Sequence, residues 1–251
     1  MTAAKAGPPP VLPARLAAPP RPSERFPVLY PLAVRAHRLR RHLAWRMSGD
    51  RWARRRPVGR LPFRVKRHSS LLLRQLGEEE MWLQHNKVAN LRLAAACVDG
   101  VVIGPGETFS FNRLVGNCTR RRGFVEGMRL TNGRAHPGVG GGICQLANLL
   151  HWMFLHSALT VVERSEHSFD PFPDNGRVLP WGVGCSIVWN YVDLVVRNDT
   201  GARFAVHVQV GERHLEGELG TDREPAYSQL VTSSSSGTGE ACSDATRSGA
   251  T

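Results

Sequence analysis

The first half of the chain carries its apolar residues at helical spacing and the second half largely at strand spacing. Leu32, Ala36, Leu39, Leu43 and Met47 stand three or four positions apart, the interval that stacks side chains on one helical face. Arg35, His37, Arg38, Arg40, Arg41, His42 and Arg46 fill the positions between them, so a basic amphipathic helical arm is expected within residues 31–67. Residues 69–97 predict a second helical block. Glu78, Glu79 and Glu80 suit its first turn, Trp82, His85 or Asn86, Ala89, Leu93 and Ala96 form one face, and Gly100 ends it. Strand signals then take over at 101–103, at 108–111, and at 128–130, where Asn132-Gly133 closes a hairpin. Further β-branched or aromatic runs predict strands at 159–163, 185–190, 191–197, 204–210 and 214–219. Between these groups lies Leu146 to Leu155, apolar almost all the way round, as a helix buried on most sides must be.

This order of elements predicts an α+β domain over residues 68–220, with a single mixed or antiparallel sheet packed on a buried central helix. The proline-rich residues 1–30 are expected to be an extended or disordered lead, and the serine- and glycine-rich residues 221–251 a disordered tail. The formal charge of +12 is unevenly placed. Residues 1–67 hold 17 Lys+Arg against Glu24 and Asp50, a local +15, and the other 184 residues hold 16 against 19 acidic residues, or −3. The basic arm therefore suits an anionic membrane surface, or else is simply a solvated helix; without interleaved aromatics, nucleic-acid binding is not expected. Five scattered cysteines lack CxxC spacing, which fits a reduced compartment. No signal-like or membrane-spanning run is present in the sequence, so the expected location is cytoplasmic, peripheral at the inner membrane face if the arm binds there.

One stretch concentrates chemistry. Gly140-Gly141-Gly142 is costly to order as regular structure and predicts a tight turn or close backbone approach. Cys144 follows in the first turn of the buried helix, where unpaired N–H groups and the macrodipole favour a thiolate. His167 is the candidate base, and Asp193, in preference to Asp170, would orient its ring. The Cys144 amide with Gln145 could bind an oxyanion. In a non-catalytic alternative the glycine loop holds a carboxylate through its amides and Arg164 adds a bidentate contact; Glu163 and Arg164 also suit an ion pair. Cys144, His167, Cys185 and His136 have no short metal-ligand spacing, so neither metal nor cofactor is expected.

The blocks Gly106-Glu107-Thr108-Phe109-Ser110-Phe111-Asn112, Gly140 to Leu149, Glu163-Arg164 with His167-Ser168, Phe172-Pro173-Asp174, Leu179 to Gly182 and Tyr191 to Leu194 resemble the VanW family. The similarity runs from about Leu72 to Leu219. The resemblance implies an accessory role in glycopeptide (vancomycin) resistance or cell-wall metabolism and a peptidoglycan-type small-molecule or peptide ligand. It supplies no reaction. Cysteine-dependent amide hydrolysis or acyl transfer is the reading of the residues themselves, with a non-catalytic module binding a peptidoglycan precursor or partner protein as the alternative. At Gly184-Cys185-Ser186 the chain departs from the family pattern, so Cys185 is read as a packing residue.

Overall fold

The computed structural model describes residues 30–56, 59–73, 81–131, 134–165 and 183–224, divided between compact units Met1–Gly49 and Asp50–Thr251. In the first, α1 (Tyr30–Met47) is the expected basic helix. It ends where Gly49 adopts φ 68, a left-handed conformation that costs glycine little. The expected arm of 31–67 is thus helical only to Met47.

The second unit is α+β. It contains β1 (Arg51–Trp52), β2 (Arg54–Arg55), β3 (Phe63–Leu71), α2 (Met81–Val98), β4 (Val101–Ile103), β5 (Glu107–Ser110), α3 (Phe111–Val115), a 3-10 turn at Arg120–Arg122, β6 (Glu126–Thr131), β7 (Arg134–Val139), α4 (Cys144–Leu155), β8 (Thr160–Glu163), β9 (Val195–Arg197), β10 (Phe204–Val210) and β11 (His214–Thr221). In place of the single expected sheet the described strands form three: β1-β5-β9-β8, with β1 parallel to β5; the antiparallel β2-β4-β10-β11-β3; and the β6-β7 hairpin. The reason is local. Three successive pairs, β1 with β2, β4 with β5 and β9 with β10, each send one strand to either larger sheet. Between β4 and β5 the chain turns at Gly106, φ 68. Buried Glu107 stabilises that turn, accepting the Gly104 N–H at 2.8 Å and pairing with Arg56. Asn198 does the same after β9, its Nδ2 donating to Ile103 O at 3.0 Å and Ala202 O at 2.7 Å.

Two other expectations change. Residues 63–71, split in the sequence reading between the arm and a helical block, are strand β3 along β11. With Arg, Lys, His or Ser at six of its nine positions, β3 offers no continuous apolar face to read. In α2 the buried face is Leu83, Gln84, Lys87, Asn90, Leu91, Ala94, Ala95 and Val98, whereas Trp82, His85, Ala89 and Ala96 are exposed. Three of the first four buried positions are polar, so hydrophobic periodicity pointed the wrong way. The expected strands over 185–190 and 191–197 reduce to a Val188–Val192 bridge and β9. Asn190 turns the chain between Val188 and Val192 at φ 52.

The core includes the apolar side of α4. Leu146, Leu150, Met153 and Phe154 are fully buried, each large apolar side chain contributing about 1.5–3 kcal/mol by leaving water. Phe154 meets Phe109 of β5 edge-to-face at 5.2 Å. On the other side α4 lies against β11 so closely that a Cβ at Gly217 would stand 2.4 Å from Leu149 Cδ2. A glycine inside that strand is what lets the helix approach.

Candidate thiol site

The glycine turn is held by three neighbours. A Cβ on Gly141 would fall 2.2 Å from the Gly127 backbone, one on Gly140 2.5 Å from Cys118 Cβ, and one on Gly142 2.1 Å from Lys87 Cγ. Gly140 and Gly142 also carry φ of 76 and 87. Close approach and left-handed backbone therefore both exclude side chains here. Buried Asn90 locks the arrangement: its Nδ2 donates to Gly141 O at 2.9 Å and Val125 O at 3.0 Å, and its Oδ1 accepts the Val125 N–H at 2.9 Å. One turn earlier Asn86 donates to Glu126 O at 2.8 Å. Asn90 was not singled out from sequence, and Asn86 only as an alternative to His85 on one helical face; an Asn-x-x-x-Asn pair is the signal that could have found both.

From this turn α4 sends Cys144, Asn148 and His151 along one face, where they meet the extended segment 183–187. Asn148 Oδ1 accepts the Cys185 N–H at 2.6 Å, His151 Nδ1 lies 2.8 Å from Val183 O, and the Ile187 amide acts on the Cys144 thiol. Asn148 and His151 thus tie the helix to the segment beside the thiol. Burial pushes its pKa up, against the opposing influence of the Ile187 amide, the Arg129 guanidinium and its own amide. The depressed pKa expected from the helix terminus is not what the site produces. Removal from water outweighs the amides, and the turn bonds Gln145 N to Gly142 O (3.1 Å) and Leu146 N to Ile143 O (3.0 Å) have already taken two of the first-turn donors.

The other expected site residues have hydrogen-bond partners of their own. Asp193 is fully buried, and its carboxylate accepts the Ser110 hydroxyl at 2.5 Å, the Asn112 N–H at 2.9 Å and the Leu194 N–H at 2.8 Å. Ser110 in turn caps α3 through the Arg113 N–H at 3.2 Å, and Asn112 Nδ2 donates to Val192 O at 2.9 Å. The carboxylate expected to orient a base is the hinge of a polar network joining β5, α3 and the approach to β9. Gln145 donates through Nε2 to Ser70 Oγ and Leu71 O, both at 2.8 Å, which commits its side chain to β3 in place of an oxyanion. Glu163 Oε1 accepts the Asp193 N–H at 3.2 Å, and Arg164 Nη1 donates to Gly184 O at 3.2 Å. His167 and Asp170 lie outside the described residues, as do the motifs between 172 and 182.

Arg129 was missed. On β6, its stem covers Gly138, where a Cβ would stand 2.3 Å from Arg129 Cδ, and its exposed guanidinium acts on both Cys144 and Cys118. Cys118 is pushed up to about 11 and Cys185 to about 12, chiefly by burial. Cys185 has no exposed surface, in keeping with a packing role. Among the described residues no group of three or more His, Cys, Asp or Glu side chains could hold a metal, and no helix is long and apolar enough to cross a membrane.

Fold and site together define a class: an α+β domain in which a triple-glycine turn, clamped by two asparagines, delivers a cysteine to the head of a buried helix. The chain belongs to the VanW-like family, whose profile, described as VanW like protein, matches residues 86–220. It is 34% identical over 203 residues to the vancomycin B-type resistance protein VanW of Enterococcus faecalis (strain ATCC 700802 / V583), covering 81% of this chain and 74% of that protein. It is also 38% identical over 96 residues to the uncharacterized protein YoaR of Bacillus subtilis (strain 168), covering 37% of this chain and 32% of that protein. No solved structure matches the chain.

Proposed function

We propose that the protein is an accessory of vancomycin resistance or cell-wall metabolism, and that Cys144 performs amide hydrolysis or acyl transfer on a peptidoglycan-type peptide. Kinship with the enterococcal resistance protein supports the role. One observation supports the chemistry: the Ile187 amide and the Arg129 guanidinium both act on a sulfur set at a helix head beside a rigid turn. These groups stabilise a thiolate once a base removes the proton, although the resting group is a neutral thiol. The sulfur would bond to the scissile carbonyl carbon and the C–N bond would break. His167 would take the thiol proton and return it to the leaving amine, and water or a second amine would release the thioester. Arg129 would hold a substrate carboxylate.

Resistance conferred by the Cys144→Ser, Cys144→Ala and Arg129→Gln variants, read together with intact-mass detection of an acyl adduct on the wild type, tests the reading. Loss in both cysteine variants with an adduct at Cys144 is expected; full resistance from Cys144→Ala overturns the nucleophile. The second reading, a non-catalytic module for a peptidoglycan precursor or a partner protein, is favoured by the engagement of the thiol, Gln145 and Asp193 in structural bonds. In that case Arg129→Gln abolishes resistance and Cys144→Ala does not.

A further inference from the structure

We propose that α1 is an in-plane anchor for an anionic lipid bilayer. Leu32, Leu39, Leu43 and Met47 are 59%, 61%, 48% and 82% exposed, and with Ala36 they form one continuous stripe down a single face. Ala36, Leu39, Leu43, Ala44 and Met47 also line a shallow trough that Arg40 borders. The shielded side of the helix is the opposite one, at Val34, Arg41 and Trp45, with Arg41 stacked 5.5 Å over the Trp45 ring. An exposed leucine stripe facing away from the shielded side needs an apolar environment. The charge says which kind.

The helix carries five arginines, two histidines and no acidic residue. At about 100° per residue, Arg35 and Arg46 fall on one flank of the stripe and Arg40 on the other. A helix that immerses its apolar stripe to headgroup depth therefore places guanidinium groups on both sides at the level of lipid phosphates. At 18 residues with this charge the helix cannot span a bilayer. A folded protein partner would have to supply a concave apolar groove with acids on both rims, whereas an anionic bilayer offers both features along any direction. This inference is independent of the chemistry proposed for Cys144.

The test is co-sedimentation of the full chain with vesicles of phosphatidylcholine alone or with about one-third phosphatidylglycerol, together with its mass in solution by light scattering. Binding is expected only to the anionic vesicles and is expected to fall as salt rises from 0.1 to 0.5 M, as screening requires (Debye lengths of about 10 and 4 Å). Leu39→Glu with Leu43→Glu, which keeps helix-forming residues on an exposed face, should lower partitioning at least roughly tenfold. Arg35→Gln, Arg40→Gln and Arg46→Gln together should lower it by on the order of a hundredfold, about fivefold for each charge. Three results overturn the proposal: no sedimentation of the wild type, equal binding to neutral vesicles, or a lipid-free dimer that the leucine variants convert to monomer, which would assign the stripe to a second copy of the chain.

Discussion

The molecule has two polar centres built from its most distinctive sequence blocks, and they differ in how far their hydrogen-bonding capacity is used internally. At Asp193 three donors from β5, α3 and the chain before β9 converge on one carboxylate, and the centre is sealed from solvent. At Cys144 the residue as a whole is half-buried, its thiol is removed from water, and the Ile187 amide, its own amide and the exposed Arg129 act on the sulfur. The first cluster holds elements together through the partners described, while the second sets a buried thiol beside a charged side chain. The difference teaches that a distinctive motif marks constraint, and that burial with hydrogen-bond satisfaction decides whether the constraint is architectural or chemical.

The largest effect that would break this comparison concerns Asp193. Asp193→Ala leaves the Ser110 hydroxyl and two backbone N–H groups buried without their acceptor, and should destabilise the domain by about 3–5 kcal/mol. Cys144→Ser should cost less than about 1.5 kcal/mol. Equal losses in urea titrations would mean that both centres are structural. Asn90→Ala, which removes the clamp on Gly141 and Val125, should cost about 2–3 kcal/mol and also change Cys144 alkylation, since it frees the turn that presents the thiol. Gln145→Ala should cost about 1 kcal/mol through its bonds to β3 and leave the alkylation rate unchanged; a changed rate would return Gln145 to the site.

The remaining tests are those of pH. Because burial raises the Cys144 pKa, its iodoacetamide rate should still be climbing above pH 9, and a plateau near neutrality would contradict the raised value. Cys118 and Cys185 are held up at about 11 and about 12, from an ordinary 9.0. A raised folded-state pKa contributes stability that is whole below pH 9 and lost as pH rises through the folded value. The unfolding free energy should therefore decline between pH 9 and 12, and Cys185→Ala should flatten part of that decline.

Much of the fold was legible. The apolar run behind the glycines gave the central helix, and Asn132-Gly133 predicted the hairpin whose strands pair from Glu126 with Val139 to Thr131 with Arg134. The misread elements share a cause. Strand β3 and the buried face of α2 present polar residues where apolar ones were sought, because their partners are backbone groups of other elements: Asn90 faces Gly141 and Val125, and the β3 backbone pairs with β11. The partners of the candidate site residues were hard to read for the same reason. Cys144 stands where the glycines put it, while Gln145 and Asp193 are claimed by distant chain segments that no local pattern reveals.

By itself the sequence determined the type of each strongly patterned element, the glycine turn, the helix behind it and the concentration of charge in the amino-terminal quarter, since these follow from backbone freedom and hydrophobic periodicity within a few residues. Tertiary structure alone decided how consecutive strands divide between sheets, which face of α2 is buried, and which backbone groups engage a polar side chain. Those outcomes depend on which backbone donors and acceptors, often 50 or more residues away, compete for the same side chain once water has been excluded.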